Sequence, residues 1–160
     1  PEIQKEAHRK AAEEVCRHLE EGRDVAMPNL GDVSIYSTYC YLMELVQQKG
    51  FETRMIAGVP SFCAVAARLG ISLTEMNTPL HITPGSADLS QVFSWPGNKI
   101  LMKSGSQLPG VVTAIQDHAD PTRSAMVQNC GLPGEQVFSD LEGIDPEKLK
   151  GYFATVIVKE

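Results

Sequence analysis

The sequence predicts an α/β protein built from two α/β domains, and three observations lead there. Short apolar runs of strand length alternate with helical patterns, the order that builds a parallel sheet. Two connecting stretches, Leu30-Gly31-Asp32-Val33-Ser34-Ile35-Tyr36-Ser37-Thr38 and Gly58-Val59-Pro60-Ser61-Phe62, are glycine-bearing loops between an apolar run and a helix. Such loops make a ligand crevice at the strand ends of an open sheet. The composition then changes near Asn77-Thr78-Pro79, and a second set of strands and helices follows, which places the domains at residues 1–76 and 77–160.

The elements follow in order. Ile3, Ala7, Ala11, Val15 and Leu19 recur at four-residue steps among Glu and Lys, with Gly22 as the stop, so residues 3–19 form a surface helix. Asp24 to Met27 is a strand-length run ended by Pro28, and the Gly31-Asp32 loop comes next. Tyr39, Leu42, Met43 and Val46 share a helical face that Lys49-Gly50 closes. Phe51, Thr53 and Met55 alternate with Glu52 and Arg54, the period of a strand. Phe62 to Leu69 is an apolar helix capped by Gly70. Beyond residue 77 we expect a strand at Leu80–Thr83, a helix at Ala87–Ser94, a strand at Lys99–Lys103 and a helix around Val111–His118. Strands at Ser124–Cys130 and Gln136–Ser139, a helix from Asp145-Pro146-Glu147 and a terminal strand at Tyr152–Lys159 complete the pattern.

Composition excludes several classes of function. With 160 residues, 42% of them hydrophobic, the chain can bury a real core. Its net charge of −6 carries no basic cluster, and the densest charge run, Lys5 to Arg23, mixes signs like a solvated helix face, so nucleic acid is not an expected partner. No apolar run approaches the roughly 20 residues of a membrane span, and no charged-then-apolar leader opens the chain. Cys16, Cys40, Cys63 and Cys130 lie far apart without a CxxC pair, and the first three sit in apolar helical patterns. They read as reduced core thiols of a cytoplasmic protein.

Few residues suggest chemistry on their own. There is no Walker lysine loop, GxGxxG, HExxH or GxSxG. His18-Leu19-Glu20 has the HxE shape of a zinc deaminase without the PCxxC that should follow, and reads as helix surface. His8, His18, His81 and His118 show no ligand spacing, so no metal is expected. Taken alone, Gly31-Asp32 reads as a turn whose Asp caps the next helix, and the Ser34, Ser37 and Thr38 hydroxyls read the same way.

The whole string says more. Gly31-Asp32-Val33-Ser34-Ile35-Tyr36-Ser37-Thr38-Tyr39, then Gly50-Phe51-Glu52-Thr53, Gly58-Val59-Pro60-Ser61-Phe62-Cys63-Ala64, Leu101-Met102-Lys103, Asn129-Cys130-Gly131 and Tyr152-Phe153-Ala154-Thr155, resembles the tetrapyrrole methylase family in that order. The SIYST and PSF variants resemble its C20 branch, the methyltransferases acting on precorrin-2 or cobalt-factor II. Val33 and Ala57 stand where the family usually has proline. The resemblance implies a tetrapyrrole methylase-like fold with S-adenosylmethionine held in a crevice between two α/β domains, and S-adenosylhomocysteine as product. It implies that Gly31, Asp32, Ile35 and Tyr36 face the methionine end of the cofactor, with Ser37 and Thr38 close by, and that Pro60, Ser61 and Phe62 form the facing wall. Met102 would pack against adenine, and Asn129, Cys130 and Ala154 would complete the adenosine site. Read simply as residues, Met102 and Phe62 fit core packing equally well.

The implied reaction is methyl transfer to C20 of precorrin-2 or cobalt-factor II in cobalamin synthesis, which needs no covalent nucleophile. No residue is nominated as the base, and Asp32 reads better as a cofactor contact. Arg54 and Lys103 are candidates to meet the carboxylates of the tetrapyrrole. Family members open with a strand, a GxGPG loop and a Leu-Leu-Thr helix that are not found ahead of this match. The expectation is therefore an incomplete first domain, with homodimerisation covering exposed edges. Another methylation position, or a non-catalytic module that keeps the fold, stays open.

Overall fold

The computed structural model describes residues 2–160, and the chain divides into two units, one ending at Pro60 and one spanning Ser61–Glu160. The first unit is built on two helices. Helix α1 (Glu2–Glu20) and helix α2 (Tyr39–Gln48) meet through Ala12, Cys16 and Val46, with Val15, Leu19, Leu42, Leu45 and Phe51 packed around them. The buried stripe of α1 differs from the four-residue row in the sequence, and Ile3 is exposed. Each four-residue step overshoots a helical turn by about 40°, so a strict row winds off the packed face. On the solvent side Arg9 pairs with Glu6 and Glu13, and Arg17 with Glu14 and Glu21.

The strands expected at 24–27 and 51–56 do not form in this unit. Among the described residues, no main-chain hydrogen bond joins the two runs, and Val25, Met27, Met55 and Ile56 are exposed. Alternation supplies the side-chain pattern of a strand, but a strand also needs a neighbour for its N–H and C=O groups.

The second unit supplies the sheet. Its strands are β1 (Leu80–Pro84), β2 (Asn98–Met102), β3 (Ser124–Gln128), β4 (Gln136–Phe138) and β5 (Ala154–Val158), in the spatial order β1-β2-β5-β3-β4. The β1–β2 pair is parallel and the others are antiparallel. Every residue of β2, β3 and β5 is buried, as expected of central strands covered on both faces. On one face Leu101, Met126, Val156 and Val158 pack with Val92 of α4 (Leu89–Ser94) and with Leu108, Val111, Val112 and Ile115 of α5 (Leu108–His118). On the other, Val127 and Ile157 take Val65 and Ala66 of α3 (Ser61–Leu69). That packing draws α3 into the second unit, so the division falls before the compositional change at residues 77–79.

Two further expectations are corrected. The helix from Asp145 is a single 3-10 turn, Pro146–Lys148, because Gly151 follows within a turn and Leu149 is drawn into the core. Cys63 is exposed rather than a core thiol, because the buried face of α3 is Phe62, Val65 and Ala66. Cys16 is buried, and all four thiols are free. Among the described residues no helix is long and apolar enough to cross a membrane.

Candidate functional site

In the first unit, the loop at residues 31–38 is held to the segment before α3 by one carboxylate. Asp32 Oδ1 accepts hydrogen bonds from the Ser34 amide (2.9 Å) and the Ser34 hydroxyl (2.5 Å), and Oδ2 accepts one from the Gly58 amide (2.8 Å). The Ser34 hydroxyl foremost, then the Gly58 and Ser34 amides, hold the Asp32 carboxyl below its ordinary value. The two glycines make this contact possible. Gly31 has φ 96°, and a Cβ on Gly58 would run into the Gly31 carbonyl oxygen. Gly58→Ala is therefore expected to destabilise the protein by about 1–3 kcal/mol, read as a lower denaturation midpoint, with an unchanged midpoint refuting the close approach.

The rest of the loop is tied as well. Ser37 Oγ donates to Asn29 Oδ1 (3.0 Å) and accepts from the Tyr39 amide (3.1 Å), so the hydroxyl that meets the first turn of α2 is that of Ser37, while Thr38 accepts the Tyr41 amide through its carbonyl. The Tyr39 hydroxyl donates to the Arg54 carbonyl (3.0 Å), a second link between the loop and the run before Gly58. The Ile35 amide donates to the Asp32 carbonyl, closing a tight turn, and Tyr36 follows with φ 50°. Gly31, Asp32 and Ile35 are half-buried, whereas Tyr36 and Thr38 are exposed. Pro60 closes this unit, two residues beyond Gly58.

In the second unit, the sequence-predicted residues gather along one edge of the sheet. Pro84 and Met102 end the parallel pair β1–β2 side by side, and Gln128, the end of β3, lies opposite Ala154, the start of β5. Leu101 faces Val156, which brings Met102 level with the start of β5. At this edge Lys103, Asn129 and Gly131 take left-handed conformations (φ 54°, 51° and 73°), so the chain turns sharply where β2 and β3 stop. The Asn129 amide donates to the Phe153 carbonyl (2.8 Å), and its side chain donates to the Gly134 carbonyl (3.3 Å). The Ser61 and Thr155 hydroxyls meet at 3.3 Å, fixing the start of α3 beside Ala154.

Phe62, Met102 and Ala154 are buried, while Ser61, Asn129 and Cys130 are half-buried. Cys130 packs against Val65, Ala66, Val127 and Ile157, and burial, then the Glu135 carboxylate, push its thiol above the ordinary value. Its surroundings are those of a packing thiol. Arg54 and Lys103 are exposed.

Two residues at this edge were not anticipated. Arg68 Nε donates to Glu135 Oε1 (2.6 Å), and Glu135 Oε2 accepts from the Gly131 amide (2.8 Å). The signal available in the sequence was slight: an acid placed directly after the Gly131-Leu132-Pro133-Gly134 turn.

Known proteins align with this chain through both units. The family model for Tetrapyrrole (Corrin/Porphyrin) Methylases matches residues 1–145. The "Probable cobalt-precorrin-2 C(20)-methyltransferase" of Methanocaldococcus jannaschii is 29% identical over 142 residues, covering 88% of this chain and 61% of that protein. The cobalt-precorrin-2 C(20)-methyltransferase of Salmonella typhimurium is 25% identical over 145 residues, covering 89% and 61%. The chain thus spans about three fifths of the length of these curated relatives. Among solved structures, a cobalt precorrin-4 methyltransferase superposes with a TM-score of 0.78 at 18% identity, over 93% of this chain and 69% of that one. A uroporphyrin-III C-methyl transferase from Thermus thermophilus, complexed with S-adenosyl homocysteine, gives 0.66 at 16% identity, over 94% and 72%. With a family match running from the first helix past β4, this chain belongs to the tetrapyrrole methylase family.

Proposed function

We propose that the protein carrying this sequence transfers a methyl group from S-adenosylmethionine to C20 of precorrin-2 or cobalt-factor II, within cobalamin synthesis. The observation that carries the reading is similarity, over 88% and 89% of this chain, to relatives named for C20 methylation. Gly31, Asp32, Ile35, Tyr36, Ser37 and Thr38 are assigned to the methionine end of the cofactor, with Pro60, Ser61 and Phe62. Met102, Asn129, Cys130 and Ala154 are assigned to the adenosine.

The local geometry suits such a ligand. Gly58 lacks the Cβ that would close its approach to Gly31, and the left-handed turns at Lys103, Asn129 and Gly131 present backbone groups at strand ends, where α/β sheets bind nucleotides. When bound, S-adenosylmethionine supplies an electrophilic sulfonium methyl, so the hard chemistry belongs to the cofactor. The residues of this chain bind and orient. In favourable cases such positioning lowers a barrier by roughly 7–11 kcal/mol. Asp32, with both oxygens engaged and its pKa lowered, is a poor proton acceptor. Arg54 and Lys103 are the cations assigned to the substrate's carboxylates, and assembly as a homodimer is part of the same reading.

The test has two steps. Calorimetric titration should show binding of S-adenosylhomocysteine, and failure to bind at millimolar concentration would sink the reading. Incubation with precorrin-2 and with cobalt-factor II, using a 13C-methyl donor, should then place the label on C20. Label on another carbon would reassign the position while keeping the reaction class.

A further inference from the structure

The turn leaving β3 is held by a carboxylate that also grips α3. Asn129 and Gly131 are both left-handed with only Cys130 between them, and asparagine and glycine are the residues that take this conformation most readily. Glu135 divides its two oxygens between the Gly131 amide and the Arg68 guanidinium, and these two donors, the amide first, lower its pKa. Arg68 belongs to the last turn of α3, and Ser61 at the other end of that helix meets Thr155 beside Ala154. Helix α3 is thus tied at both ends to the edge where β3 stops and β5 starts, with Val65 and Ala66 packed on Val127 and Ile157 between the ties.

We propose that Glu135 and Arg68 are a positioning pair that sets the Asn129-Cys130-Gly131 turn for binding the adenosine part of the cofactor, an inference that rests on the methyltransferase reading above. An ion pair this open to solvent adds little to global stability, since the Arg68 side chain is 52% exposed. Its effect is on orientation. One carboxylate fixes a backbone amide of the turn relative to the helix that carries Ser61 and Phe62.

The experiment compares S-adenosylhomocysteine affinity, thermal midpoint and steady-state kinetics in the full-length protein. Glu135→Ala is expected to weaken binding about tenfold and to raise KM for S-adenosylmethionine while kcat stays within about twofold. Glu135→Gln keeps an oxygen for the Gly131 amide and should lose only about two- to threefold. Arg68→Ala should fall between them, and the Arg68→Ala/Glu135→Ala double variant should bind no more weakly than Glu135→Ala alone, as coupled residues do. Thermal midpoints should stay close to that of the parent. Parent-like affinity in Glu135→Ala, single losses that multiply in the double variant, or affinity losses that merely track the thermal midpoint overturn the proposal while leaving the methyltransferase reading in place. If Glu135→Ala does not fold, Glu135→Gln and Arg68→Ala decide by the same criteria. No binding by the parent protein overturns both.

Discussion

On the proposed methyltransferase reading, Asp32→Ala should lower kcat/KM for methyl transfer about 100-fold, the scale on which a misplacement near 1 Å acts in a positioned reaction. The substitution removes three acceptor contacts at once, two to Ser34 and one to the Gly58 amide, and so releases the loop at residues 31–38 from the segment that leads into α3. Asp32→Asn should fall between, because its amide oxygen can serve one donor while its NH2 faces another. The pair of variants separates two roles. If Asp32 were the proton acceptor, Asp32→Asn would abolish turnover and leave S-adenosylhomocysteine affinity intact, whereas a loop staple loses both together. The pH dependence has a definite sign. The folded-state pKa of Asp32 lies below its unfolded value, so its contribution is fully present above about pH 4 and is lost as pH falls through the lowered value. Folding stability measured down the acid limb should therefore fall in the parent protein, and the part of that fall due to Asp32 should be missing in Asp32→Asn.

Ile157→Ala is expected to cost about 2–5 kcal/mol. Its side chain is fully buried in β5, the middle strand of the sheet, where it packs with Val127 against Val65 and Ala66 of α3. For a unit of this size, that corresponds to a thermal midpoint lower by more than about 10 °C. Ile157→Val should cost only about 0.5–1.5 kcal/mol, and Val137→Ala, on the exposed edge strand β4, still less. Calorimetry or denaturant titration reads all three. A cost below about 1 kcal/mol for Ile157→Ala would mean that α3 is not anchored as described.

The second unit was largely legible because its pattern and its hydrogen bonding agree. Lys99 to Lys103 and Tyr152 to Lys159 are apolar runs bounded by turn residues, and each pairs with neighbours inside the same unit. Phe51 to Met55 carries as clear an alternation, yet it has no ladder, since alternation is a property of side chains and pairing requires a second backbone. The loops were recognisable as glycine-bearing turns, and their ties were not. Nothing local to Asp32 announces an amide 26 residues away at Gly58. Arg68 reads as one more solvated helix residue until the fold brings Glu135 to it. Left-handed turns are easy to foresee at glycines and at asparagines such as Asn129, whereas those at Tyr36 and Lys103 arise from the surrounding structure.

The unpaired runs in the first unit and the fully buried strands of the second divide the protein's resistance to opening. Amides of residues 24–29 and 51–57 have no ladder to break before they meet water, so most of them exchange with solvent through fluctuations that cost almost nothing. Amides of Ile100, Met126 and Val156 are released only when the sheet is lost as a whole. The protein thus has two clocks, a fast one in the runs at residues 24–29 and 51–57 and a slow one beneath the turn at Asn129.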